Sequence, residues 1–325
     1  MAETIKLNLK DRKLLYELDK NSRQSNSEIG KKIRMNKNTV NYTIKRLEKE
    51  GAILGYYPVI DTSKLGYFHF RSYLKFFNTT GEKEEEIINW LKKDGRVGVV
   101  SRIETIYDLG IFISVKDIYE FDDFWFEFKK KFRKYIWNER VDVFPSVYHF
   151  KRKYLHDTKT PETYEFVGEK KKVDYNETDL KILELLSKNA RIPLIEISER
   201  LKIPPRTIAF RIKNLEKKKV IQGYRVNLNL SKIGYEYYKV NMVLNDFENY
   251  DKLFEFANQH PNIIYYDKTI SDYDFEIDIE IESRTKLLEL LDEIKSKFHI
   301  RSTEILSFKE YLKLELLPAL EKDKK

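Results

Sequence analysis

Within residues 37–49, Asn38, Asn41, Tyr42 and Lys45 recur at intervals of three and four, with Lys37, Thr39, Arg46 and Lys49 beside them. This spacing places them on one face of a helix, opposite an apolar face of Val40, Ile44 and Leu47. Amides, hydroxyls and cations in such a row hydrogen-bond base edges and neutralise phosphates. A second row lies at 205–217, where Arg206, Ala209, Phe210 and Lys213 are flanked by Thr207 and Arg211 and opposed by Ile208, Ile212 and Leu215. Ala209 and Phe210 suit thymine methyl groups, and equally a protein contact. Because the two faces differ, they are expected to prefer different sites. The candidate nucleic-acid contacts are therefore Lys37, Asn38, Thr39, Asn41, Tyr42, Lys45 and Arg46 in the first row, and Arg206, Thr207, Ala209, Phe210, Arg211 and Lys213 in the second.

Other chemistries find little support. The 325 residues contain no cysteine, which excludes disulfides and thiolate metal sites. The five histidines, His69, His149, His156, His260 and His299, form no clustered motif, and there is no glycine-rich phosphate loop or nucleophile elbow. No catalytic residue, metal or cofactor is expected. No apolar run approaches a membrane span, and the N-terminus lacks the apolar core of a signal peptide, so the expected location is cytoplasmic. The net charge of +8 is unevenly placed. Residues 1–66 carry +6 and 170–234 carry +9, whereas 67–169 are neutral and 235–325 carry −7. Two separate basic blocks on neutral or acidic supports read as two polyanion-facing modules.

The elements that must position these faces are repeated. A shift of 168 positions aligns Asp11 with Asp179, Asn21 with Asn189, Arg23 with Arg191, Glu28-Ile29 with Glu196-Ile197, Thr39 with Thr207, Leu47-Glu48-Lys49 with Leu215-Glu216-Lys217, Gly55-Tyr56 with Gly223-Tyr224, and Gly66-Tyr67 with Gly234-Tyr235, without a gap. In the first copy Leu14, Leu15 and Leu18 form a helical stripe behind Asp11. Ser27 is a candidate cap for a short helix burying Ile29 and Ile33, Arg34 to Lys37 form a turn, and Gly51 closes the third helix. In the second copy Pro204-Pro205 opens the third helix, where a missing N–H does little harm. Three short helices with a tight turn between the second and third predict a helix-turn-helix in each copy.

The remainder of each copy predicts strands at 67–77, 97–102, 109–115 and 141–153, with helices at 82–93 and along Phe121, Phe124, Phe128, Phe132 and Tyr135. The second copy gives strands at 237–244, 263–269, 275–281 and 301–314, with helices at 249–259 and along Leu287, Leu291, Ile294 and Phe298. The order βαββαβ is ferredoxin-like, so the expected class is α+β with two winged or helix-turn-helix modules, each followed by such a domain. The expected units are residues 1–60, 61–156, a linker at 157–173, 174–228 and 229–325. A ferredoxin-like sheet has helices on one face only. Glu276, Asp278, Glu280 and Glu282 line the other face in copy two, whereas copy one offers Arg71, Lys75 and Lys116. The two sheets are therefore expected to pair within one chain, these charges being otherwise a solvated surface.

The stretch from Leu9-Lys10-Asp11 through Leu47-Glu48-Lys49-Glu50-Gly51-Ala52-Ile53 and Gly55-Tyr56 resembles the leucine-responsive/asparagine-synthase (Lrp/AsnC) regulators, and so does 177–224. The resemblance implies sequence-specific binding to double-stranded DNA, with the fused chain acting as a pseudo-dimer on two half-sites about 10 bp or a multiple apart. It also implies further association of chains and a possible amino-acid effector near a Gly-x-Tyr-Asp-like segment. The corresponding residues here are Tyr107-Asp108 and Tyr273-Asp274, without the glycine, and the aspartates also suit turns that start strands. Two alternatives remain. Fused proteins of this architecture include siroheme decarboxylases, although Lys64 to His69 does not match the arginine- and histidine-bearing segment of those enzymes. The other alternative is a protein-interaction adaptor that no longer touches DNA.

Overall fold

The computed structural model describes residues 4–156, 164–169, 171–315 and 317–318. Residues 157–163 of the expected linker, Lys170, and the ends of the first and last expected units lie outside the described residues.

The first head comprises α1 (Leu9–Lys20), α2 (Asn26–Ile33) and α3 (Lys37–Lys49), followed by β1 (Ile53–Ile60). Asn8 and Asp11 cap α1 reciprocally. Ser25, not Ser27, caps α2, with Glu28 completing the box; Ser27 sits inside the first turn. The second head repeats this as α6 (Glu177–Lys188), α7 (Leu194–Leu201), α8 (Pro205–Lys217) and β7 (Ile221–Leu228). The duplication persists in the backbone. Arg34 and Lys202 both take left-handed conformations after the second helix, and Gly51 and Lys219 both do so after the third.

β1 and β7 pair antiparallel as a two-stranded ribbon joining the heads. Tyr57 sits opposite Arg225, its own equivalent at a shift of 168, so a pseudo-two-fold axis passes between them. α1 packs on β7 and α6 on β1. The two heads thereby share one apolar core, which includes Leu14, Leu18 and Tyr56 with Ile182, Leu186 and Tyr224.

The body comprises β2 (Phe68–Phe76), α4 (Gly81–Lys93), β3 (Val97–Ile103), β4 (Leu109–Val115), α5 (Ile118–Phe132) and β5 (Ile136–His149), then β8 (Glu236–Leu244), α9 (Tyr250–Gln259), β9 (Ile263–Ile270), β10 (Phe275–Ile281), α10 (Arg284–Lys297) and β11 (Ile300–Leu314). The expected order is present in both copies. β5 begins about five residues before its expected start. A short strand, β6 (Glu165–Val167), follows β5 and pairs with it. The sheet runs β2-β4-β3-β11-β8-β10-β9-β5-β6, and β5 also bonds β2, so eight strands close on themselves with β6 outside.

β5 and β11 make this closure. β5 pairs with β2 from Ile136 to Val143 and with β9 from Val143 to His149. β11 pairs with β8 up to Phe308 and with β3 beyond it. Separate apolar cores lie between the sheet and α4/α5, and between the sheet and α9/α10. Alternation along β10 explains why all seven of its residues are buried. Phe275, Ile277, Ile279 and Ile281 join the apolar core, and the intervening acids meet cations.

Those cations differ in part from the expected ones. Arg71 reaches Asp267 (2.9 Å), Asp142 (3.3 Å) and Glu276. Lys75 instead pairs with Asp108 of its own copy (2.7 Å), and Lys116 lies over the Tyr67 ring and donates to the Leu65 carbonyl. Lys239 of copy two itself binds Asp267 and Asp278, and Arg152 takes Glu280 at 2.7 Å. Buried charges left unpaired would be strongly unfavourable, and this pairing lets the acidic strand be enclosed.

Candidate nucleic-acid interface

Each recognition helix is set by a cap and a brace. The Asn36 side chain accepts from the Thr39 N–H (2.8 Å) and hydroxyl (2.9 Å), so Thr39 is part of the start of α3. Arg46 is half-buried and tied to Asp11 on α1 (2.5 Å) and Glu50 (2.8 Å). In the second head Arg211, one turn earlier on its helix, reaches the matching Asp179 at 3.0 Å and Asn176 at 3.3 Å. Both arginines thus fasten the third helix to the first.

The rest of each row faces outward. Lys37, Asn38, Asn41, Tyr42 and Lys45 are exposed on α3, as are Arg206, Thr207, Phe210 and Lys213 on α8; Ala209 is half-buried. Tyr42 and Phe210, at equivalent positions, are 68% and 69% exposed.

A reciprocal clasp across the pseudo-two-fold axis fixes one head against the other. Arg23 donates to the Ala190 carbonyl and Arg191 to that of Ser22, each at 2.5 Å. Arg23 lies over the Tyr224 ring, whose hydroxyl donates to Glu216. Arg191 lies over the Tyr56 ring, whose hydroxyl donates to Glu48. Burial, then the carboxylate, push both tyrosine pKa values well above the ordinary value, so both remain donors. Sequence reasoning aligned Arg23 with Arg191 and Tyr56 with Tyr224 but gave them no role, because their partners lie in the other copy.

The candidate effector residues divide into two groups. Tyr107 stacks on Tyr73, and the Arg140 guanidinium lies 5.5 Å from the Tyr107 ring and 4.9 Å from that of Tyr273, so the body brings these two tyrosines to one cation. The aspartates are elsewhere. Asp108 accepts from the Phe76 N–H (2.7 Å) and Lys75, and Asp274 from the Leu244 N–H (2.8 Å), each fastening the turn beside its strand.

The histidines occupy separate environments. His69 lies between Thr62 and Ser114, and burial pushes it down to about 4. His149 packs against Tyr265 and is likewise lowered by burial, with Arg225 and Lys151 adding to the effect. Among the described residues no group of three or more His, Asp or Glu side chains is placed to hold a metal ion, and no helix is long and apolar enough to cross a membrane.

Comparison with known proteins agrees with this geometry. The family described as winged helix-turn-helix DNA-binding matches residues 7–53 and 175–222. The HTH-type transcriptional regulator LrpA of Pyrococcus horikoshii is 40% identical over 84 residues, which cover 26% of this chain and 57% of LrpA. This chain thus spans little more than half of that relative's length. An uncharacterised HTH-type transcriptional regulator of the same organism is 31% identical over 150 residues, 42% of this chain and 90% of that protein. The chain belongs to the Lrp/AsnC family of helix-turn-helix regulators. Among solved structures, the siroheme decarboxylase NirDL shares the fold over 95% of this chain and 94% of its own, with a TM-score of 0.63 and 14% identity.

Proposed function

We propose that the chain is a sequence-specific, DNA-binding transcription regulator in which one polypeptide stands in for a dimer, its two heads reading two non-identical half-sites. The observation that carries this reading is the pairing of Tyr57 with Arg225 on a pseudo-two-fold axis, with both recognition faces left exposed. A two-fold pair of heads matches a two-fold duplex site, with half-sites about 10 bp or a multiple apart. The body pairs its two α+β domains within the chain, and further chains associate around it. An amino acid binding near Tyr107 and Tyr273 would act on the heads through this body.

Selection of genomic fragments by the purified protein, across a salt series and with and without amino acids, tests the reading. It should yield a paired motif at helical spacing whose affinity falls as salt rises. Unchanged duplex affinity in both Lys45→Glu and Lys213→Glu would sink it. Salt-insensitive binding would instead favour the adaptor.

The likeness to NirDL over nearly the whole chain favours a second reading, a tetrapyrrole-decarboxylating enzyme. The lining of the body weighs against it. Arg71, Arg140 and Lys239 are already paired with Asp142, Asp267, Glu276, Asp278 and Glu304, so in this cluster carboxylates outnumber cations and none of these three cations is left over for a polycarboxylate substrate. A shift of the siroheme Soret band from its free position on incubation with the protein, followed by release of CO2, would support the enzyme.

A further inference from the structure

The two recognition faces are alike at some positions and opposed at others, and the pattern is specific enough to name bases. Counting along each helix, Tyr42 matches Phe210 and Lys45 matches Lys213, so these positions are conserved in character between heads. Apart from Lys37 against Pro205 at the first helical residue, and the positions of Arg46 and Arg211, which brace their helices to Asp11 and Asp179, the differences on the exposed faces fall at the second and fifth helical residues, where Asn38 and Asn41 of α3 correspond to Arg206 and Ala209 of α8. The N-terminal residues of a recognition helix are the ones that reach base edges. A carboxamide pairs with adenine N6 and N7, a guanidinium with guanine O6 and N7, and an alanine methyl meets the thymine methyl.

A further asymmetry bears on Asn41. Arg191 of the second head donates to Asn26 Oδ1 at 2.8 Å, and Asn26 Nδ2 lies 3.4 Å from Asn41 Oδ1. The second head has no such relay, because Leu194 and Ala209 occupy the equivalent positions. The relay holds the Asn41 carboxamide with its oxygen toward Asn26. Its NH2 remains free to donate to adenine N7, and the second lone pair of its oxygen remains free to accept from N6.

We infer that the operator is an imperfect palindrome whose arms agree under Tyr42/Phe210 and Lys45/Lys213 but differ at two base pairs: adenine under Asn38 and Asn41 in one arm, guanine under Arg206 and thymine under Ala209 in the other. The chain therefore binds its site in one orientation. Asn26 and Arg191 are positioning residues that act through Asn41. This inference rests on the DNA-binding reading above.

The test is selection from a randomised duplex library with the full chain and with the double variant Asn38→Arg/Asn41→Ala, both of whose sites are exposed. The full chain should enrich the asymmetric site, and the double variant a symmetric one with guanine and thymine in both arms. On isolated duplexes, exchanging adenine under Asn41 for another base should weaken the full chain by roughly tenfold or more. Asn26→Ala should reduce that preference alone and leave the other arm unchanged. Enrichment of a symmetric palindrome by the full chain, or an unchanged motif in the double variant, would overturn the inference while leaving DNA binding intact. Failure of either protein to enrich any sequence, with the fold intact by circular dichroism, would remove the DNA-binding reading itself.

Discussion

Asp19 shows how much can hang on one carboxylate. It is buried between Arg225 (2.8 Å) and Arg152 (2.6 Å), and Arg152 also holds Glu280, so a residue of α1 is tied to β7, to the segment after β5 and to β10. Burial alone would raise its pKa, but Arg225, Arg152 and Lys151 hold it down at about 2. Asp19→Ala would strand the buried Arg225 guanidinium and leave Arg152 with Glu280 alone, and should cost about 3–5 kcal/mol, read by urea unfolding. The second head has Ser187 and Tyr57 at the corresponding positions, so Ser187→Ala should be nearly silent. Asp278 titrates in the opposite sense. Burial, with the neighbouring Asp267, raises it to about 6 against the attraction of Lys239. The folded chain then holds a proton there that the unfolded chain has lost between about pH 4 and 6, so this group's contribution to stability falls as pH rises through that window. Asp278→Asn should flatten that part of the stability–pH curve. None of these roles was legible in the sequence, because the partners lie more than a hundred positions away or, for Asp278, on the neighbouring strands β8 and β9, whose register no local pattern fixes. The exposed rows were legible, since helical spacing alone sets which side of α3 and α8 is buried. Spacing could not tell that Arg46 and Arg211 reach back to Asp11 and Asp179.

At the scale of elements, periodicity and capping residues located the helices and most strands, and the βαββαβ order could be read directly. The ribbon of β1 and β7 was not. Gly55-Tyr56 and Gly223-Tyr224 stand out in the repeat, but a strand whose only partner is the other copy leaves no local pattern. β5 was placed late for a related reason. Its first residues, Ile136 to Arg140, alternate irregularly, with a register shift opposite Lys75 and Phe76 interrupting their pairing with β2. Loosening the clasp tests the element it holds. Arg23→Ala with Arg191→Ala should relax the preference for one spacing, measured on duplexes with shifted half-sites, and leave the half-site read by α8 bound as before, while the loss of Arg191 also weakens the adenine preference under Asn41. Lys219 occupies the left-handed turn that Gly51 fills in the first copy. Lys219→Gly relieves a side chain from that conformation and should stabilise the chain by about 1 kcal/mol in thermal unfolding.

Across the whole molecule, charge follows the division into heads and body. The basic excess lies in the two blocks that become the heads, and copy two's acidic tail end becomes part of the body. For a DNA-binding chain, affinity should fall linearly with salt on logarithmic axes. Removing Lys45 or Lys213 should lower the slope by about 1 each. The crossing of β5 and β11 between half-sheets has a different consequence. A polypeptide severed in the linker would yield two fragments, each with a long strand whose second half has nothing to bond. The amino-terminal fragment could self-associate, whereas its carboxy-terminal counterpart would bring two rows of glutamate and aspartate together with only Lys239 from each to offset them. Co-expressed, the fragments should find one another in preference to themselves, and the fused gene guarantees that partnership at one-to-one stoichiometry.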